Sequence, residues 1–327
     1  MKFFLFNINV DKIINIFIIC LFLTSNGDMI FSQSLKMVTG DKSGNYHKGG
    51  ETLKILAEKS GLTIDLINTD GAFQNVFEVG KNEANLGLVQ IDVLAGLANL
   101  NKEYKKLANN CLAIAPTELE YVHIVVNNSS NIKTFSDLKT KKVSVGSANS
   151  GTAYTAGFML AYLIKGVDVT SPNFLNMDEE ESLRKVAKGE IDAAFLTTTL
   201  NSTLLSQLGG EDTPIRLLAL NTREIPVKIK EAYYTEMIPP NTYPWQKDAV
   251  EVPATASFLI VSKETDYKYV KKIVEIMYDN EEHLGNESHL WSSNASKAFI
   301  QLKKLGIPYH PLVEKHLKLK KSNTKQK

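Results

Sequence analysis

Two short loops carry residue types suited to holding a small charged molecule. Ser43-Gly44-Asn45-Tyr46 and Ser150-Gly151-Thr152 each follow an apolar run and open a helical stretch. Glycine lets backbone N–H groups come close to a ligand, and a serine hydroxyl donates to a carboxylate or accepts from an ammonium group. A helix N-terminus adds unpaired N–H groups and the positive end of the helix dipole, which favour an anion. For either loop alone a second reading stands, because Ser-Gly ahead of a helix is also good capping.

The two loops belong to a longer correspondence. Ser43 and Ser150 are 107 residues apart, and Gly44 with Gly151, Gly50 with Gly157, Leu53 with Leu160 and Leu56 with Leu163 keep that offset. Glu83 to Gln90 matches Glu190 to Thr197 at the same offset, each a turn feeding an apolar strand that ends in polar side chains. In open α/β sheets ligands sit beyond the carboxyl ends of the strands. Gln90, Asp92, Thr197, Thr198 and Thr199 are therefore expected to line a cleft with the two loops, including Asn149 beside Ser150. Tyr46 adds a hydroxyl, Phe73 an aromatic wall and Gln74 an amide; each also has a reading as packing or capping.

The elements that must position these residues alternate between strand and helix, which argues for α/β architecture with largely parallel sheets. Leu35 to Thr39 and Lys142 to Val145 read as strands. A helix with Leu53, Ile55 and Leu56 in its stripe ends at Gly61, and a second surrounds Phe158 to Ile164. Tyr121-Val126 and Ser257-Ser262 read as paired crossover strands. The expected architecture is α/β, with two α/β lobes joined by a two-strand hinge. The boundaries are a signal peptide at 1–33, lobe 1 at 34–126 and 258–318, lobe 2 at 127–257 and a basic tail at 319–327. Helices including Tyr267 to Asp279 complete the first lobe.

At 327 residues, 43% hydrophobic and 22% charged, the chain is long enough for two lobes with real cores. A formal net charge of +1 gives no nucleic-acid footprint. The basic excess lies in the tail, at Lys315, Lys318, Lys320, Lys321, Lys325 and Lys327. Lys2 and Lys12 precede the apolar run Ile13 to Leu23, which is too short for a stable span of about 20 residues and suits the core of a secretory signal. An uncleaved anchor is the other reading of that run. Cys20 lacks the small residues ahead of it that lipidation requires. Cys111, in Cys111-Leu112-Ala113-Ile114-Ala115, reads as a packed strand residue.

The histidines, His47, His123, His283, His289, His310 and His316, form no i,i+4 pair, so no metal is expected. There is no phosphate loop and no nucleophile elbow, no histidine has an evident place beside Ser150, and no cofactor is expected. Arg184, Arg216 and Arg223 are the only arginines and none lies in a candidate loop. An anion would be held by N–H and hydroxyl groups rather than by a guanidinium fork.

These motifs resemble the TAXI family, the solute receptors of one class of TRAP transporters. The resemblance rests on Thr39-Gly40 with Ser43-Gly44-Asn45-Tyr46 and Gly49-Gly50, Asn75 to Gly80, and Leu88 to Asp92. Val145-Gly146 with Ser150-Gly151-Thr152, Asp192 to Phe195, Ile238 to Pro244 and Val252-Pro253 extend it over about residues 35–285. It implies a type II periplasmic-binding-protein-like α/β fold, and a monomeric, non-enzymatic periplasmic protein that delivers a small organic acid or amino acid to a TRAP-type membrane permease. A sensory protein of the same fold, or an enzyme on this scaffold, are the alternatives. The chain departs from the family at Tyr46-His47-Lys48, where paired tyrosines and a small residue are common. It departs again at Leu196 to Asn201, where a glycine- and proline-bearing loop is usual, and the added hydroxyls point to a polar ligand.

Overall fold

The apolar run before the Ser43 loop forms strand β1 (Leu35–Val38), and the loop opens helix α1 (Asn45–Lys59). The structure, a computed structural model, describes residues 34–200, 202–225, 230–291 and 295–314; the expected signal segment and basic tail lie outside them. After α1 come β2 (Ile64–Ile67), α2 (Ala72–Gly80), β3 (Leu86–Gln90), α3 (Ile91–Leu100) and α4 (Lys102–Asn110). Strands β4 (Cys111–Pro116) and β5 (Glu120–Asn127) follow almost head to tail. The next stretch holds β6 (Val143–Ser144), α5 (Gly151–Leu163), β7 (Phe174–Leu175), α6 (Glu179–Lys188) and β8 (Ala193–Thr198). Helix α7 (Thr203–Gln207) and strands β9 (Ile215–Leu217), β10 (Tyr234–Ile238), β11 (Val250–Thr255) and β12 (Ser257–Ser262) come next. Helices α8 (Tyr267–Asp279), α9 (Glu281–Glu287) and α10 (Ala295–Leu305) complete the described elements.

The unit β1-α1-β2-α2-β3 recurs as β6-α5-β7-α6-β8. Its repeat distance extends to the second helix, since Ala72 and Glu179 open α2 and α6 and are again 107 residues apart. The first sheet has the order β2-β1-β3-β12-β4, with β1, β2 and β3 parallel and β12 antiparallel to both neighbours. In the second sheet β7-β6-β8 are parallel, and β8 is followed by the antiparallel strands β5, β11 and β10, with β9 also on β5. Strands β3 and β8 are buried at every position, as expected for strands covered on both faces. The two-residue period divides β5: Val122, Ile124 and Val126 join one core of the second sheet, and Val125 joins the other.

The chain passes between the sheets twice, and the two passages lie side by side. Thr117 N–H donates to Ser257 O at 2.8 Å, while Thr255 pairs with Glu120 and Phe258 with Pro116. Tyr121–Val126 and Ser257–Ser262 do not pair with each other as the sequence reading had it. β5 lies in the second sheet because its alternate residues fill both cores there, and β12 lies in the first. The crossings are the short stretches 117–119 and Ala256.

Local expectations hold with one exception. Cys111 is fully buried and burial pushes its thiol up to about 12, in keeping with a packing residue. Ile55 is 53% exposed; the buried face of α1 is Gly49, Gly50, Leu53, Leu56 and Ala57, and the helical period turns Ile55 away from it.

Asn75 ties the first sheet to the loop above it. Its Nδ2 donates to Thr39 O at 2.6 Å and Leu88 O at 2.7 Å, and its Oδ1 accepts from the Thr69 hydroxyl at 2.7 Å. Replacing it with alanine strands buried carbonyls at the ends of β1 and β3. Asn75→Ala is expected to lower the free energy of unfolding by about 3 kcal/mol, read from urea denaturation.

Candidate functional site

The carboxyl ends of β1, β3, β6 and β8 and the loops after them enclose a cavity of about 350 Å³, at the small end of the range for small-molecule sites. Ser43, Gly44, Tyr46, Gln90, Ser150, Gly151, Thr152, Thr197, Thr198 and Thr199 line it. Both Ser-Gly loops therefore open on one space, each at the N-terminus of a helix.

Closest approach across the cleft occurs at Gly151. A Cβ there would lie 1.5 Å from Gln90 Oε1 and 3.1 Å from the Ala72 side chain, so any larger residue would displace the buried Gln90 amide. Gly71, with φ of 123°, packs its Cα region against Ser150. Gln90 is 2% exposed and Thr197 7%, and both line the cavity. Neither the oxygen nor the nitrogen of the Gln90 amide has a hydrogen-bond partner among the described residues, and nor has the Thr197 hydroxyl. Buried polar atoms without partners are costly, so a polar occupant of the cavity is the natural partner for all three.

The loop serines are differently committed. Ser43 Oγ donates to Asp41 Oδ1 at 2.5 Å, and the Ser43 N–H donates to the same oxygen at 2.8 Å. These bonds hold the Asp41 carboxyl below the usual range. Ser150 Oγ accepts from Ala153 N–H at 3.0 Å, which caps α5 and leaves its proton free to donate. Helices α1 and α2 begin at Gly44 and Gly71, and neither glycine supplies a side-chain cap. Their N–H groups face the cavity end of the first lobe.

Hydrogen bonds close the lobes over this space. Asn45 Nδ2 donates to the hydroxyls of Thr198 at 3.3 Å and Thr199 at 3.0 Å. Asn149 does not line the cavity: its Nδ2 donates to Asp70 Oδ2 at 3.1 Å and its carbonyl accepts from Gln74 N–H at 3.1 Å. Gln74 is likewise displaced, its Oε1 accepting from Asp70 N–H at 2.9 Å. Phe73 forms no cavity wall, because its ring packs against Phe77 and stacks on Tyr154 of the second lobe, at centroid distances of 5.1 and 6.1 Å. Asp92 leaves the cleft wall too. It is 4% exposed and accepts from Thr155 Oγ1 at 2.6 Å and Tyr233 OH at 2.8 Å, both from the second lobe. Burial raises its pKa despite those donors.

Several cavity residues were not singled out in the sequence: Asp41, Asp70, Gly71, Glu120, Asp178, Glu179 and Glu180 among them. The repeat offset contained the signal for part of this set, since Gly71 and Asp178 stand at equivalent N-caps. Six of the lining residues are acidic, and among the described residues no lysine, arginine or histidine joins them. Glu120 sits at the crossing between the lobes, where the Ser257 hydroxyl donates to it and the Tyr46 hydroxyl donates to Ser257 Oγ at 3.1 Å. Burial pushes the Glu120 carboxyl up to about 8; the Ser257 and Tyr46 hydroxyls oppose that, while Asp92 and Glu179 add to it. Glu179 is pushed up to about 7 by burial and then by the charges of Asp41 and Asp178.

A pH dependence follows. Between about 4.5 and about 8 Glu120 is protonated in the folded protein and ionised in the unfolded chain, so unfolding releases a proton. The stability contribution present below that window is lost as pH rises through it. The melting temperature of the ligand-free protein is expected to fall from pH 5 to pH 8 in calorimetry, and Glu120→Gln is expected to flatten the fall.

The fold is shared by proteins of distant sequence. The structure of PhnD1 from Prochlorococcus marinus in complex with methylphosphonate is 12% identical, with 84% of this chain and 97% of that one covered and a TM-score of 0.54. The arginine-, lysine-, histidine-binding protein ArtJ from Geobacillus stearothermophilus is 13% identical, with coverage of 84% and 100% and a TM-score of 0.47. The alkanesulfonate-binding protein SsuA from Xanthomonas axonopodis pv. citri, bound to MOPS, is 15% identical, with coverage of 84% and 80% and a TM-score of 0.45. The two α/β lobes joined by paired crossings are those of the type II periplasmic-binding-protein fold. Residues 37–318 match the NMT1-like family, and the chain belongs to it.

Proposed function

We propose that this protein is an extracytoplasmic solute receptor of the TAXI kind. It captures a small organic acid or amino acid between its lobes and delivers it to a TRAP-type membrane permease. The observation that carries this reading is the interlobe cavity lined by the Gln90 amide and the Thr197 hydroxyl, neither of which has a partner among the described residues. The start of α1, the first two N–H groups of α2 and the free Ser150 proton supply donors for an anionic group. The reading of residues 1–33 as a secretory signal supports export. Among the described residues no helix is long and apolar enough to cross a membrane. Among the described residues no histidine or cysteine lines the cavity beside Ser43 and Ser150. The protein binds and releases its solute unchanged.

Mass spectrometry of the denatured, purified protein is expected to release one small solute. Adding that solute at a hundred times its dissociation constant stabilises the folded state by about 2.7 kcal/mol. This is read as a melting temperature several degrees higher. No released solute, together with no shift from a panel of dicarboxylates and amino acids, would sink the reading.

The contacts on Asp92 lie outside the cavity lining but hold the lobes together. Tyr233→Phe removes one charge-assisted hydrogen bond from the closed form only. Solute affinity is expected to fall about tenfold, and small-angle scattering of the ligand-free variant to show a larger radius of gyration.

A further inference from the structure

We infer that the captured solute carries a cationic nitrogen with N–H donors, has a net charge of zero or above, and lodges that nitrogen against Glu179 between Asp41 and Asp178. The inference rests on the capture reading above and narrows it, excluding dicarboxylates and acidic amino acids.

Charge is the first ground. Asp41, Asp70, Glu120, Asp178, Glu179 and Glu180 all line the cavity, with no basic residue among its walls. Some acids elsewhere are paired, as in Lys185 with Glu181 at 2.8 Å and Lys304 with Glu231 at 3.3 Å. None of the six cavity acids makes an ion pair among the described residues. A dianion brought into this space would meet like charge on both lobes.

The partnering of the acids is the second ground. Asp41 is engaged by Ser43, Asp70 by Asn149, Asp178 by the Glu181 N–H at 2.7 Å, and Glu120 by Ser257. No hydrogen bond to the Glu179 or Glu180 carboxylate is found among the described residues; both line the cavity, and Glu179 is the less exposed of the two. Asp41 of the first lobe and Asp178 of the second act on it as like charges, and with burial they push its carboxyl up to about 7. A cation placed there relieves all three and joins the lobes electrostatically.

Two independent features point to an occupant and to its kind. The Gln90 amide and the Thr197 hydroxyl are more than nine-tenths buried, line the same cavity and have no partner among the described residues, which suits a polar occupant. Among the described residues no three metal-ligating side chains come together in a metal-holding arrangement, and the cation inferred is an organic one. The solute's carbonyl or carboxylate oxygen finds its donors at the opposite end, at the uncapped helix starts and the Gln90 amide.

Calorimetric titration of the purified protein with two probe sets tests this. One set is L-arginine, L-lysine, L-glutamine and putrescine; the other is L-glutamate, glutarate and succinate. The expected result is binding by at least one member of the first set and by none of the second. Glu179→Gln should weaken that binding at least tenfold while raising the ligand-free melting temperature, because crowding of like charge is relieved. Glu181→Gln removes the same charge from the same helical turn outside the cavity and should leave affinity unchanged. Tightest binding by a dicarboxylate or L-glutamate, or an unchanged affinity in Glu179→Gln, overturns the inference and leaves solute capture standing. Silence from both sets counts against capture itself and against the inference with it.

Discussion

The backbone of Gly151 lies directly against the Gln90 amide, and the two lobes meet at that contact. Any side chain at 151 would collide with the amide oxygen, at 1.5 Å for the first carbon alone. With glycine there, the start of α5 reaches the end of β3, and the remaining interlobe bonds come within range. Gly71 packs over Ser150, the Asn149 carbonyl meets Gln74 N–H, and Thr155 reaches Asp92. The loop glycine thus acts less by pointing an N–H at a ligand than by letting two lobes meet.

One repeated unit supplies both walls of the cavity, yet the walls differ chemically. Gln90 and Thr197 occupy equivalent ends of β3 and β8, so the shared backbone frame aims both at the same space. At the second helix the halves diverge. The first lobe offers Gly71 and Ala72, an uncapped helix start that is positive in character; the second offers Asp178 and Glu179, a capped start carrying carboxylates. A duplicated frame that places opposite electrostatic character on facing walls suits a solute with distinct ends.

Much of this was legible in the sequence because its signals are local. Strand ends, Ser-Gly turns and helical stripes follow from period and turn chemistry, and an offset of 107 residues connects them. Tyr267–Asp279 and Cys111 fall where those rules put them. Phe73 and Gln74 were misplaced because successive helical residues differ by about 100° in direction, and proximity along the chain does not settle which one faces a cleft. Asp178 to Glu180 escaped because repeats were matched by residue likeness, and Gly71 and Asp178 share a place without sharing a type. Glu120 left no local trace at all. Its environment is made by Ser257, 137 residues away in sequence, and by Tyr46.

The buried carboxylates explain how such a cleft can open as well as close. Asp92 accepts from Thr155, Tyr233 and the Val93 N–H, and Glu120 from Ser257, yet both carboxyls are raised because burial outweighs these donors. Hydroxyls solvate a carboxylate in part and do not neutralise it. Closure therefore joins good hydrogen-bond geometry to an uncompensated electrostatic cost. An arginine in place of either hydroxyl donor would remove that cost and hold the empty lobes shut. A capture protein needs the opposite, a closed form that the empty chain holds weakly and that an occupant's own interactions make dominant. The scarcity of basic residues around the cleft, which in the sequence concerned only how an anion is held, is on this view what keeps the hinge reversible.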